Sequence, residues 1–144
     1  MSGTKSPLFM LDTDVCSYLI RGHSRSVDAR FRNTNPDRVC ISVITRGELL
    51  YGIARRPDAK RLALLVSRFL DAMPVIPWES GAADVYANVR AQLEAAGTPI
   101  GYADTMIAAH AIDSNAVLVT NNARHYERID ITGFKYESWA GDPP

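Results

Sequence analysis

Short, mainly apolar runs alternate with helix-like segments along this chain, and this alternation limits the folds open to it. Residues 8–11, 39–43 and 117–120 form the runs, and such runs are typical of parallel strands buried on both faces. Residues 62–70 instead carry apolar side chains at the spacing of an amphipathic helix. The pattern predicts an α/β fold in which helices cover both faces of a parallel sheet.

Weaker signals extend this pattern along the chain. A two-residue strand is expected at 75–76 between two prolines, and one more strand in the tail at 134–139. Further helices are predicted at 15–20, 48–53, 82–93 and 102–112. Thr13 or Asp14 is the expected N-cap of the first of these helices.

Length and composition indicate one globular domain, residues 1–144, without internal repeats. Hydrophobic residues make up 47% and charged residues 22% of the chain, which excludes a disordered or collagen-like protein. The apolar runs are too short to span a bilayer. Residues 1–5 do not lead into a long apolar core, so we expect no signal peptide, no membrane association and a cytoplasmic protein.

The cysteines and histidines show no metal-binding spacing. Cys16 and Cys40 lie beside apolar neighbours and form no CxxC pair, which predicts buried free thiols rather than a disulfide or a zinc site. The histidines His23, His110 and His125 share no common spacing. His110 lies at helical spacing among apolar residues, so we expect it to be packed in the interior.

The charges are unevenly distributed although the net charge is zero. Residues 21–68 hold eleven basic and four acidic groups, so this segment carries +7 and the remainder −7. A basic segment rich in arginine suits contacts with phosphates or with an acidic partner. Solvated helix faces and a coding bias towards arginine explain the same pattern without a ligand, and charge alone does not separate these alternatives.

Three carboxylates and an asparagine occupy informative places. Asp12 directly follows the first predicted strand, and Glu48 lies about one helical turn after the second strand. Asp104 lies at the start of the helix that precedes the third strand, and that strand ends near Asn122. Because ligands of open α/β sheets bind beyond the carboxyl ends of the strands, we expect these side chains to converge on one rim. Two carboxylates about 4 Å apart repel by roughly 4 kcal/mol at an effective dielectric of about 20. A hard divalent cation, Mg²⁺ or Mn²⁺, is the simplest counter-charge.

Each acid also has a purely structural interpretation. Asp12 or Asp14 is a suitable helix cap, and Thr45 with Glu48 matches a capping box. Asp104 suits the positive end of its helix dipole. The sequence alone leaves these alternatives open for each residue.

Four segments, in this order, resemble one known family. They are residues 10–15 (MLDTDV), 41–52 (ISVITRGELLYG), 97–110 (GTPIGYADTMIAAH) and 118–129 (LVTNNARHYERI). Together they resemble the PIN-domain ribonucleases, and more closely the VapC-type toxins of bacterial toxin–antitoxin pairs. The segments cover nearly the whole chain.

The resemblance implies a three-layer α/β/α sandwich with a central, mainly parallel sheet. It implies a metal-dependent endoribonuclease that leaves 5′-phosphate and 3′-hydroxyl ends on RNA. A VapB-type antitoxin would neutralise it, in a hetero-oligomer built on a homodimer. The basic residues at 21–68 overlap the helices that can form the antitoxin groove in this family, and they also suit the RNA backbone.

The resemblance also assigns roles to the four candidate site residues. Asp12 and Asp104 match the aspartates that hold Mg²⁺, and Glu48 matches a glutamate that binds the ion through water or orients the attacking water. Asn122 falls where many members carry a fourth acid and others an asparagine, so its expected role is to support a ligand or a metal-bound water.

Two positions depart from the family pattern. Asp14 stands where asparagine is commoner, and His125 stands where similar members tend to have glutamate. The last loop is therefore not certain to supply a carboxylate, and the sequence assigns neither residue a role. The sequence is equally consistent with a site for one metal ion and with a site for two.

Other classes of protein share parts of the pattern. Residues 9–15 also fit the opening motif of haloacid-dehalogenase-type phosphohydrolases, in which Asp12 would be the nucleophile and Asp14 the general acid. The lysines, at positions 5, 60 and 135, do not suit that mechanism. A catalytically inactive antitoxin-binding module is a further alternative, which the intact carboxylates disfavour. A phosphoacceptor receiver domain would need an acceptor aspartate at the end of a middle strand, and none is evident.

Overall fold

The computed structural model describes residues 7–140 and shows a five-stranded parallel sheet. The strands are β1 (Leu8–Leu11), β2 (Val39–Ser42), β3 (Val75–Ile76), β4 (Ala116–Val119) and β5 (Tyr136–Glu137). Their order across the sheet is β3-β2-β1-β4-β5, and every neighbouring pair is parallel. The prediction for residues 1–5 lies outside the described residues.

Seven helices connect these strands within the described part of the chain. They are α1 (Thr13–Arg21), α2 (Arg25–Arg32), α3 (Val43–Ala54), α4 (Lys60–Ala72), α5 (Ser80–Ala95), α6 (Tyr102–Asp113) and α7 (Ala123–Tyr126). A short 3₁₀ turn, Pro36–Arg38, precedes β2. No helix of residues 7–140 combines the length and the apolar character needed to cross a membrane.

The two faces of the sheet build two separate cores. Alternate side chains of a strand point to opposite faces, so Met10 packs with buried residues of α5 and α6, such as Val89 and Ile107. The next residue, Leu11, packs on the other face among residues of α1 to α4, including Val66. Helices on both faces of a parallel sheet confirm the three-layer α/β/α prediction.

Some element boundaries differ from the prediction. Asp12 is the N-cap of α1, because its Oδ1 accepts a 2.9 Å hydrogen bond from the Val15 N–H; this confirms the structural interpretation of Asp12, and the expectation of Thr13 or Asp14 as the cap is wrong. Val43, predicted to end a strand, begins α3. Helices α2 and α7 were not predicted, because each is short and completely buries a single side chain.

His110 is an interior residue, as expected. Its Nε2–H donates to the Pro77 carbonyl oxygen at 3.0 Å, and its Nδ1 accepts from the Ser42 hydroxyl at 2.7 Å. Burial lowers the pKa of the ring, so the neutral form that makes both bonds is favoured. The predicted free thiols, Cys16 and Cys40, are also confirmed as buried and unpaired.

We expect His110→Ala to destabilise the protein by about 2–4 kcal/mol, because it leaves the buried Ser42 hydroxyl and Pro77 carbonyl short of a partner and opens a cavity. Urea unfolding at pH 8 measures the change. The matched control is His23→Ala at an exposed position, for which we expect a change within about 0.5 kcal/mol. Equal stability of the two variants would contradict the role given to His110.

Candidate active site

Asp12 lies at the carboxyl end of the central strand and is only 4% exposed. Its backbone N–H continues the sheet ladder by donating to the Val119 carbonyl at 2.9 Å. Its side chain receives hydrogen bonds from the Val15 N–H and the Thr120 hydroxyl. Parallel pairing of β1 with β4 therefore places a carboxylate in the protein interior beside the end of β4.

The surroundings of Asp12 disfavour its negative charge. Burial, with smaller contributions from the charges of Asp14 and Asp104, raises the pKa of Asp12 to about 7. The hydrogen bonds from Val15 and Thr120 oppose this rise without cancelling it. A buried aspartate that is half-protonated near neutral pH is a site that a cation would stabilise.

Asp104 lies in the first turn of α6 and is partly exposed. Burial raises its pKa, while His125, whose Nδ1 lies 3.4 Å from Asp104 Oδ2, opposes the rise. Asp14, which is exposed, also contributes to the raised pKa. The charges of Asp14 and Asp104 thus act on the pKa of Asp12, and the charge of Asp14 acts on the pKa of Asp104.

Tyr126 is a buried neighbour of Asp12 and Asp104. It is 1% exposed, and burial together with the charges of Asp12 and Asp104 raises the pKa of its hydroxyl far above the ordinary value. Neither the hydroxyl nor His125 Nδ1 has a well-directed hydrogen bond, although both atoms are buried. Both atoms therefore keep unused hydrogen-bonding capacity close to Asp104.

Glu48 approaches the group from the second turn of α3. Its Oε1 accepts a hydrogen bond of 2.5 Å from the Thr13 hydroxyl, whose oxygen also lies 3.2 Å from Thr45 Oγ1. The capping-box alternative for Thr45 and Glu48 is wrong, because α3 begins at Val43 with Ser42 as its N-cap. Glu48 instead reaches across to the residue that follows Asp12.

The last loop contributes two asparagines with different surroundings. Asn122 is exposed, and its backbone N–H donates to Thr120 Oγ1 at 2.9 Å. Asn121 holds both side-chain amide atoms buried without a hydrogen-bond partner. Sequence reasoning singled out Asn122 and missed Asn121, because adjacent asparagines after a strand give no signal for which one turns inward.

The side chains offer oxygen donors suited to Mg²⁺ or Mn²⁺. Asp12 and Asp104 carry raised pKa values that a nearby cation would lower. Within residues 7–140, however, no three Asp, Glu, His or Cys side chains already surround a common point as a metal site. Each expected acid has its own partner: the α1 backbone for Asp12, Thr13 for Glu48 and His125 for Asp104. The donor chemistry therefore fits a hard cation, whose binding would require these local contacts to rearrange.

Sequence reasoning missed the neutral residues that build this group. These residues carry no charge, so the sequence gives no sign that they belong to a site: Thr13, Thr120 and Tyr126. Only the pairing of the strands in the structure brings them together. Thr120 was noted only as the end of a strand, yet it hydrogen-bonds Asp12.

Comparison with known proteins identifies the family. Residues 9–131 match the family model of the PIN domain. The chain is 40% identical over 131 residues to the tRNA(fMet)-specific endonuclease VapC of Salmonella typhimurium, covering 91% of this chain and 97% of that protein. It is 36% identical over 132 residues to the protein of the same name from Shigella flexneri, covering 92% and 98%.

The solved structures show the same fold. The DNA-bound VapBC complex of Salmonella typhimurium contains a chain that superposes with a TM-score of 0.84 and 38% sequence identity, covering 94% of this chain and all of that one. The family match, the sequence identity and the shared all-parallel architecture agree. This chain belongs to the PIN-domain family, and within it to the VapC ribonucleases.

Proposed function

We propose that this chain is an Mg²⁺-dependent endoribonuclease, with Mn²⁺ as an alternative ion, and the toxin of a type II toxin–antitoxin pair. The observation that carries the proposal is the buried, destabilised carboxylate of Asp12 beside Asp104. VapC relatives named as endonucleases supply the class of reaction. Membership of the PIN family removes the support for the haloacid-dehalogenase alternative.

Asp12 and Asp104 would hold the ion, and Glu48 would bind or orient the attacking water. The bound ion supplies a more acidic water and a positive charge at the scissile phosphate. The Thr13 hydroxyl holds Glu48 in place through its hydrogen bond to Oε1. Asn122 supports the water or a ligand from the last loop, and the buried amide of Asn121 is a second candidate for this role.

His125 keeps Asp104 available as a ligand. It lowers the pKa of Asp104 against the effect of burial, which favours the ionised form that a metal ligand needs. This histidine stands where the family pattern tends to have an acid. We therefore propose that the last loop of this chain adjusts the charge of the site rather than adding a carboxylate to it.

The proposal includes two macromolecular partners. The VapBC complex of Salmonella typhimurium was solved with DNA bound, which supports a VapB-type antitoxin and a hetero-oligomer for this chain; the homodimer within it is proposed from the family resemblance alone. RNA is the proposed substrate, and the cytoplasm is the proposed compartment. An inactive antitoxin-binding module would form the same complex, so only a cleavage assay distinguishes it.

Asp12→Asn, Glu48→Gln and Asp104→Asn should each slow RNA cleavage in the presence of Mg²⁺ by about a hundredfold or more, since each removes charge from the proposed site. Time courses on a structured RNA, resolved on denaturing gels, measure the rates. Asp71→Asn, at an exposed position on α4, is the control and should cut at the parent rate. Parent-like cutting by all three site variants would reject the assignment.

Asp12→Asn should also stabilise the metal-free protein at pH 8, by about 1–4 kcal/mol. The unfolded chain releases the Asp12 proton near pH 4, whereas the folded protein keeps it until about pH 7. This group therefore lowers the free energy of unfolding as the pH rises from 4 to 7, and asparagine removes that loss.

Urea unfolding in EDTA at pH 8 and at pH 4 measures the difference between parent and variant. We expect the advantage of the variant at pH 8 to disappear at pH 4, where both side chains are neutral. A variant that is less stable than the parent at both values would show that Asp12 is not destabilised by its charge.

A further inference from the structure

A cavity of about 350 Å³ lies between the end of α5 and the start of α6, the helix that also carries Asp104. Leu93 and Pro99 give it an apolar wall, and Thr105 and Tyr102 border it from α6. Gly101, with a φ of +96°, makes the turn into α6 that a side chain would strain. The volume is at the lower end of the range for small-molecule sites.

Arg90 is held in one orientation at this cavity. Its Nε donates to Glu94 Oε1 at 2.6 Å and its Nη1 to the Tyr86 hydroxyl at 3.1 Å. The guanidinium carbon lies 4.6 Å from the centre of the Tyr102 ring. Three contacts therefore fix a flat cation over an aromatic ring.

Tyr102 is 66% exposed although Arg90 covers one face of its ring. A single exposed aromatic residue is ordinary on a protein surface. Here the ring also borders a cavity and precedes Asp104 by two residues in the first turn of α6. Helix geometry puts the Cα atoms of Tyr102 and Asp104 about 5–6 Å apart, with the two side chains on different sides of the helix.

The charges at the cavity favour a base over a phosphate. Glu94 already neutralises Arg90 at 2.6 Å, so little positive charge remains for an anion. A flat, uncharged group suits the apolar wall and the free face of Tyr102. Unstacked RNA bases bind in this way, on aromatic rings and arginine planes.

We propose that Tyr102 and Arg90 form a stacking subsite for one unpaired nucleobase of the RNA, at the turn of α6 that also carries Asp104. The inference rests on the proposed ribonuclease function and deepens it. Tyr102 and Arg90 would then position the RNA strand and contribute to the choice of cleavage site. They take no part in the chemical step.

The test uses a single-stranded RNA that the parent cuts, with the fluorescent base 2-aminopurine placed in turn on either side of the cleavage position. Without Mg²⁺, binding to the full chain should quench the probe at one of these positions. Tyr102→Ala should abolish the quenching and weaken binding about tenfold. Tyr102→Phe keeps the ring and should bind and quench as the parent does.

Tyr51→Ala is the matched control, because Tyr51 is equally exposed and also lies beneath an arginine, Arg55, on α3. It should leave quenching unchanged. In cleavage assays with Mg²⁺, Tyr102→Ala should raise KM about tenfold while kcat stays within about twofold. A raised KM with a nearly unchanged kcat indicates a positioning role, whereas damage to the catalytic site would lower kcat.

The outcomes separate the two proposals. If the parent cleaves RNA and Tyr102→Ala binds and quenches as the parent does, the stacking subsite is wrong and the ribonuclease proposal stands. If the parent neither binds nor cleaves RNA, the proposed function fails and the subsite fails with it. A change in oligomeric state on Tyr102→Ala, measured by light scattering, would make this face a contact between copies and overturn the inference.

Discussion

The pairing of β1 between β2 and β4 is the constraint on which the site depends. All the strands run in one direction, so the residue after β1 and the residue after β4 reach the same edge of the sheet. This pairing buries Asp12 next to Thr120, where water cannot solvate the carboxylate. The same burial that completes the core thus destabilises a negative charge that a bound cation would stabilise.

A buried histidine connects the two helices that carry the other candidate acids. His110 lies on α6, the helix of Asp104, and it bonds to Ser42. Ser42 is the N-cap of α3, the helix of Glu48. The positions of Glu48 and Asp104 relative to each other therefore depend on a hydrogen bond between α6 and the start of α3, which illustrates how residues outside the site support it.

The sequence was sufficient for the strands and for the proximity of Asp12 and Asp104. Each buried strand is an apolar run, and Asp12 and Asp104 are charged residues at places where parallel sheets bind ligands. The sequence was insufficient where more than one residue fits the same local pattern, such as the N-cap of a helix. Thr45 and Glu48 have capping-box spacing, but Ser42 starts the helix earlier. The inward turn of Asn121 and the burial of Tyr126 depend on tertiary packing, which no local pattern records.

Proton release on metal binding tests the central claim most directly. If Asp12 has a pKa of about 7 and holds the ion, titration calorimetry with Mn²⁺ in buffers of different ionisation enthalpy should detect about half a proton released per ion at pH 7. The release should approach zero at pH 9, and Asp12→Asn should abolish it. Metal binding without proton release at pH 7, or equal release from Asp12→Asn, would contradict the account.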